Sequence, residues 1–91
     1  MSSSQKANYS LVPTKEFLKS LEKLDRQTNQ RIIRSIEDIA LKPFLGKPLR
    51  GELQGIYSLR VGEYRVLYSI NTRKRELIVH VAKHRSKVYE K

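Results

Sequence analysis

The sequence predicts an α+β domain: a short N-terminal strand, an antiparallel helical hairpin, then a three-stranded antiparallel meander forming one sheet. Three observations carry this. Apolar residues recur at helical spacing in two neighbouring stretches between residues 14 and 42. Apolar and polar residues then alternate over about 56–61, 64–70 and 77–83, as half-buried strands require. Gly62-Glu63 and the polar run from Asn71 to Glu76 separate those segments, short enough to join antiparallel neighbours.

Residues 1–8 read as a flexible tail and residues 9–91 as one domain, since 91 residues with 38% apolar content support a single modest core. Tyr9-Ser10-Leu11-Val12 forms the first strand, stopped by Pro13. Thr14 is the N-cap of a helix through Leu24, with Phe17, Leu18, Leu21 and Leu24 on one stripe. Asp25 caps a second helix, whose apolar positions are Ile32, Ile33, Ile36, Ile39 and Ala40, and Pro43 ends it. The close junction at Leu24-Asp25 implies a helical hairpin. Lys15, Lys19, Lys23, Arg26, Arg31 and Arg34 then form its solvated outer faces. Residues 43–55 hold two Pro and three Gly and read as a loop.

Gly62-Glu63 suits a type II′ turn, which sets Val61 against Tyr64 and Arg60 against Arg65. Pairing Ile70 with Leu77 sets Tyr68 against Val79, Val66 against Val81 and position 82 against 65. One face then carries Tyr57, Leu59, Val66, Tyr68, Val79 and Val81 for the helices to cover. The other carries Ser58, Arg60, Arg65, Leu67, His80 and Ala82. Two cations directly opposite on one sheet face repel. A phosphate held between them would explain why the chain tolerates the pair.

Charge and composition narrow the class. Nineteen Lys and Arg against nine acidic residues leave +10, and residues 56–91 carry nine basic against three acidic groups. That excess favours a polyanionic partner, although a surface for an acidic protein explains it as well. With no Cys there are neither disulfides nor thiolate metal sites. No apolar run is long enough to span a bilayer, and the amino terminus lacks a secretion leader. A soluble cytoplasmic protein is expected, with no membrane contact.

The third strand runs back beside the second, so the segment after it arrives next to the arginine pair. One region gathers Arg60, Arg65, Lys83, His84, Arg85 and Tyr89. It has no carboxylate pair, and His80 and His84 lie along a strand and its exit rather than on one helical face, so no metal site is expected. Cations with an imidazole and a phenol suit metal-independent RNA cleavage. There the ribose 2′-OH attacks phosphorus, arginines stabilise the added charge, and two groups move protons. Binding of nucleic acid or of an acidic protein segment, without catalysis, fits the same residues. His80 reads as a packing residue, and Tyr57, Tyr64 and Tyr68 as core or core-edge residues.

The stretch Leu49-Arg50-Gly51, with Gly55-Ile56-Tyr57-Ser58-Leu59-Arg60-Val61-Gly62-Glu63-Tyr64-Arg65-Val66-Leu67-Tyr68 and the closing His84-Arg85-Ser86-Lys87-Val88-Tyr89, resembles the RelE/ParE toxins of prokaryotic type II toxin–antitoxin modules. The resemblance spans residues 9–91 and includes the order of elements. It implies the RelE-like fold and a ribosome-dependent endoribonuclease that cuts A-site messenger RNA and is neutralised by a cognate acidic antitoxin in a hetero-oligomer. No cofactor is implied. The alternative is a ParE-like toxin that inhibits DNA gyrase without catalysis.

By the same resemblance Arg65, Tyr89, Arg85 and His84 are the catalytic residues. Arg60, Lys83 and Arg50 are the substrate-binding ones. Ser58 stands where some RelE-like toxins carry a lysine, so a general base assigned to that lysine does not carry over. No helix is expected after Tyr89.

Overall fold

The computed structural model describes residues 9–87; the expected tail at 1–8 and Tyr89 with the residues beside it lie outside them. In chain order come β1 (Ser10–Pro13), α1 (Lys15–Glu22), α2 (Arg26–Leu41), β2 (Lys47–Pro48), β3 (Ile56–Val61), β4 (Tyr64–Asn71) and β5 (Glu76–His84). Short 3₁₀ turns occupy Pro43–Leu45, Gly51–Leu53 and Arg85–Lys87. The strands form one sheet in the order β1-β5-β4-β3-β2, with β1 parallel to β5 and the other neighbours antiparallel. The fold is the expected α+β class with one added strand. Within the presumed loop, Lys47 pairs with Ser58 and Pro48 with Tyr57. Pro48 has no N–H to donate, which confines such a strand to an edge.

Both helix caps form as the sequence implies. Thr14 Oγ1 accepts the Phe17 N–H at 3.1 Å, and Asp25 accepts the Thr28 N–H at 3.0 Å. Hydrogen bonding from Thr28 holds the Asp25 carboxyl below its ordinary value. Thr14 also ties α1 to β5, donating through its hydroxyl to the His80 carbonyl at 2.9 Å. Further along, Ser20 Oγ accepts the Ala82 N–H at 3.1 Å, so α1 satisfies the edge of β5 where β1 has ended.

Phe17, Ile32, Ile36 and Ile39 pack with Val61, Val66, Tyr68, Leu77, Val79 and Ala82 into one buried cluster between the helices and one sheet face. Two residues of the expected helical stripes stay outside it, since Leu18 is 49% and Ile33 39% exposed. Each sits one residue, about 100° of helix, away from a fully buried neighbour. Tyr68 pins the loop after α2, accepting the Gly46 N–H at 2.9 Å and donating to the Pro43 carbonyl at 2.8 Å. A Cβ at position 46 would lie 2.6 Å from that phenol oxygen, so the approach needs glycine.

The β3–β4 register is the expected one, with Arg60 opposite Arg65 and Val61 opposite Tyr64. The β4–β5 register corrects the sequence reading. It runs as expected from Ile70–Leu77 to Tyr68–Val79, then shifts, so that Leu67 pairs with Val81, Val66 with Ala82 and Arg65 with Lys83. His80 is the extra residue of a β-bulge. The bulge falls where β1 ends and Thr14 takes the Val79 and His80 carbonyls. Ala82 rather than Val81 therefore completes the core face, and Lys83 rather than Ala82 faces Arg65.

Candidate functional site

The bulge builds a row of three cations. Arg60 on β3, Arg65 on β4 and Lys83 on β5 occupy one cross-strand line on the sheet face turned away from both helices. Strands lie about 4.8 Å apart, so the three backbone positions span roughly 10 Å. Arg60 and Lys83 are exposed and Arg65 is half-buried. The next row along the strands is Ser58, Leu67 and Val81. Ser58 is 3% exposed, and its hydroxyl lies 3.4 Å from Arg65 Nη1, a long contact that aims the guanidinium rather than holding it tightly. No group of three or more His, Cys, Asp or Glu side chains gathers among the described residues.

His84 shares the end of β5 with this row, but it pairs with Tyr64 and so turns toward the opposite face. Its ring packs edge-on against Tyr64 at 5.4 Å. Nε2 lies 3.3 Å from Glu63 Oε1, and Nδ1 lies 3.0 Å from Ser86 Oγ. The Ser86 N–H also points at Nδ1, at 3.3 Å. The tautomer consistent with these partners keeps the proton on Nε2, donated to Glu63, and leaves Nδ1 as acceptor. Arg85 begins the closing turn, and its N–H donates to the Glu63 carbonyl at 2.8 Å. The Gly62-Glu63 turn therefore anchors the segment leading toward Tyr89, which itself lies outside the described residues.

The remaining expected residue falls elsewhere. Arg50 precedes the Gly51–Leu53 turn and lines a concavity of about 500 Å³ with Pro48, Gln54 and Tyr57. Leu49 is tied to Ile56 at the start of β3, whereas Arg60 sits four residues on, roughly 13 Å along the strand. The structure thus brings Arg60, Arg65 and Lys83 into one row, sets His84 and Arg85 at its end, and separates Arg50 from it.

Sequence reasoning missed two sets of neighbours. Glu63 and Ser86 contact His84 because Tyr64 pairs with it, a register hidden by the bulge. Lys19 and Lys23, read as solvated, line a second concavity of about 450 Å³ together with Tyr64, Lys83 and His84. Their i, i+4 spacing marks one helical face, which was the available signal.

The model of the ParE toxin family, toxins of the type II toxin–antitoxin system parDE, matches residues 11–88. The chain belongs to this family. Relatives from Mycobacterium tuberculosis place it within the wider RelE/ParE superfamily. Toxin RelE is 50% identical over 40 residues, covering 43% of this chain and 41% of that protein. Toxin RelG is 38% identical over 55 residues, covering 59% of this chain and 63% of that protein. The matched stretches thus span less than two thirds of either relative. The solved toxin–antitoxin complex RelBE2 of the same organism contains a chain similar over 86% of this one and 99% of its own length, at 31% identity and a TM-score of 0.80. That similarity extends over nearly all of the helices and the sheet described above. In this member the sheet face opposite the helices carries the three cations.

Proposed function

We propose that this RelE/ParE-family chain is a ribosome-dependent endoribonuclease toxin and that the Arg60–Arg65–Lys83 row holds the scissile phosphate. The single observation that supports this most is the row itself, three like charges side by side on the sheet face opposite the helix-packed core, with Lys19 of α1 and Lys23 at that helix's C-cap flanking its Lys83 end. Like charges opposite one another on strands destabilise the sheet, and an inserted phosphodiester turns that repulsion into binding. The names of the matched relatives, RelE and RelG, support the ribonuclease branch more than the gyrase-binding alternative.

In this mechanism the ribose 2′-OH attacks the neighbouring phosphorus and the 5′-oxygen departs, leaving a 2′,3′-cyclic phosphate and a 5′-hydroxyl end. Arg65 forks two phosphate oxygens as negative charge builds, with Arg60 and Lys83 on either side. Tyr89 and His84 are the proton-transfer groups that the resemblance implies, and Arg85 adds a further phosphate contact; His84 starts on the face opposite the row, so it must swing round the end of β5 to reach the phosphate. His84 Nδ1 is held by Ser86 in the unbound chain, so RNA must displace that contact before the imidazole can take a proton. The three cations supply the charge stabilisation within the chain. An acidic antitoxin, the natural partner for a +10 toxin, neutralises this face by charge and occlusion.

Toeprinting of messenger RNA on ribosomes with added protein tests the reading, followed by analysis of the cut ends. Cuts in the A site with 2′,3′-cyclic or 3′-phosphate ends are expected. Uniform 3′-hydroxyl ends exclude the mechanism. Inhibition of gyrase supercoiling with intact messenger RNA would move the chain to the other branch.

A further inference from the structure

A second cationic cluster stands at the far end of the same strand pair. The β4–β5 connection contains Arg73, Lys74 and Arg75, all exposed, in consecutive positions. The turn has a fixed shape. Lys74 N–H donates to Asn71 Oδ1 at 3.1 Å, and Arg75 takes a left-handed φ of 55°. The Arg75 carbonyl accepts the Ser10 N–H at 2.9 Å, and its guanidinium lies 5.2 Å from the centre of the Tyr9 ring. Arg75 thus fastens the turn to the start of β1, and Arg73 and Lys74 project from a rigid platform.

The geometry points to this turn as a second RNA-backbone anchor, separate from the cleavage row. Asn71 lies six residues beyond Arg65 on β4, roughly 20 Å at strand rise. Between the two ends the face turned from the helices bears Leu67, Ser69, Ile78 and His80, all half-buried, with Ser69 Oγ 2.9 Å from His80 Nε2, and Glu76, paired with Asn71, puts a carboxylate on the same face beside the turn. Cations at both ends of a track whose middle is uncharged suit a polyanion that lies along the hairpin, Arg73 and Lys74 outweighing the single Glu76 carboxylate beside them, and RNA is the polyanion of the proposed function. The anchor rests on that reading for its ligand. It adds affinity and orientation and takes no part in the chemistry.

Binding measured against salt tests it. The Arg73→Gln/Lys74→Gln double variant is compared with wild type and with Arg26→Gln/Arg34→Gln, which removes the same charge from α2. Each is titrated with a ten-nucleotide RNA carrying a 2′-O-methyl block against cleavage, and with 70S ribosomes. The slope of log affinity against log salt should fall by about 1 for each lost contact, about 2 for the turn variant, and stay near wild type in the α2 control. Loss with both ligands assigns the anchor to messenger RNA, and loss with ribosomes alone assigns it to ribosomal RNA. Cleavage at saturating ribosome should remain at the wild-type rate. Equal slopes in the turn variant and wild type, or equal losses in the turn and α2 variants, overturn the anchor alone. A wild-type chain that binds neither ligand overturns the RNA reading and the anchor with it.

Discussion

Arg65 is the residue on which the proposed site converges. It has a cation on each side, Arg60 across one ladder and Lys83 across the other, and its guanidinium is aimed by a buried serine. Loss of a donor that stabilises transition-state charge typically costs about 10²–10³ in rate. Arg65→Ala should therefore lose cleavage by that order in a single-turnover assay on ribosomes. Arg65→Lys should recover little, because an ammonium cannot fork two oxygens. Removing the central charge relieves repulsion from both neighbours while giving up the guanidinium's own contacts, so stability in urea titration should change by no more than about 1 kcal/mol. Cleavage at the normal rate by Arg65→Ala, or its outright unfolding, would remove the phosphate from this row.

At the scale of elements, the junctions hold the sheet in the shape the site needs. The bulge at His80 moves Lys83 into line, and the Tyr68 phenol fixes the segment that carries β2 against β3. Tyr68→Phe should destabilise by about 1–3 kcal/mol in urea titration, because the Gly46 N–H and Pro43 carbonyl lose their partner. Cleavage per folded molecule should be unchanged, since Tyr68 faces the helices; a catalytic defect without destabilisation would contradict this division. Burial raises the Tyr68 phenol above its ordinary value. The neutral form is therefore the stabilising one. Its contribution is complete below about pH 10 and declines as pH rises beyond that. Alkaline titration of stability should show the decline in wild type and lack that component in Tyr68→Phe.

For the whole molecule, the controlling quantity is net charge. At +10 the chain attracts any polyanion, and selectivity then depends on where the charges lie. An acidic antitoxin segment that orders on binding covers a wide surface at once, which suits a broad cationic face. Co-expression with the product of the adjacent reading frame should abolish toxicity and yield a complex stable on gel filtration. A chain that stays equally lethal beside that product has a different antidote. No helix among the described residues is long and apolar enough to cross a membrane.

The sequence by itself determined both helices, four of the five strands and one of the two key registers. Thr14 and Asp25 announce their helices because a cap is a local hydrogen bond between residues three apart. Gly62-Glu63 fixes Arg60 against Arg65 because a two-residue turn leaves only one pairing. The motifs around Arg65 also carried the family. Tertiary structure alone decided the β4–β5 register beyond Tyr68, and with it the place of Lys83, the turn of His84 to Tyr64's side of the sheet and its contacts with Glu63 and Ser86. It also set Arg50 apart and brought Lys19 and Lys23 in. A bulge costs one residue and leaves little trace in an alternating pattern. It forms here because Thr14, more than sixty residues earlier, takes two carbonyls of β5 just where β1 stops pairing. That is a contact between distant segments, and periodicity along the chain does not encode it.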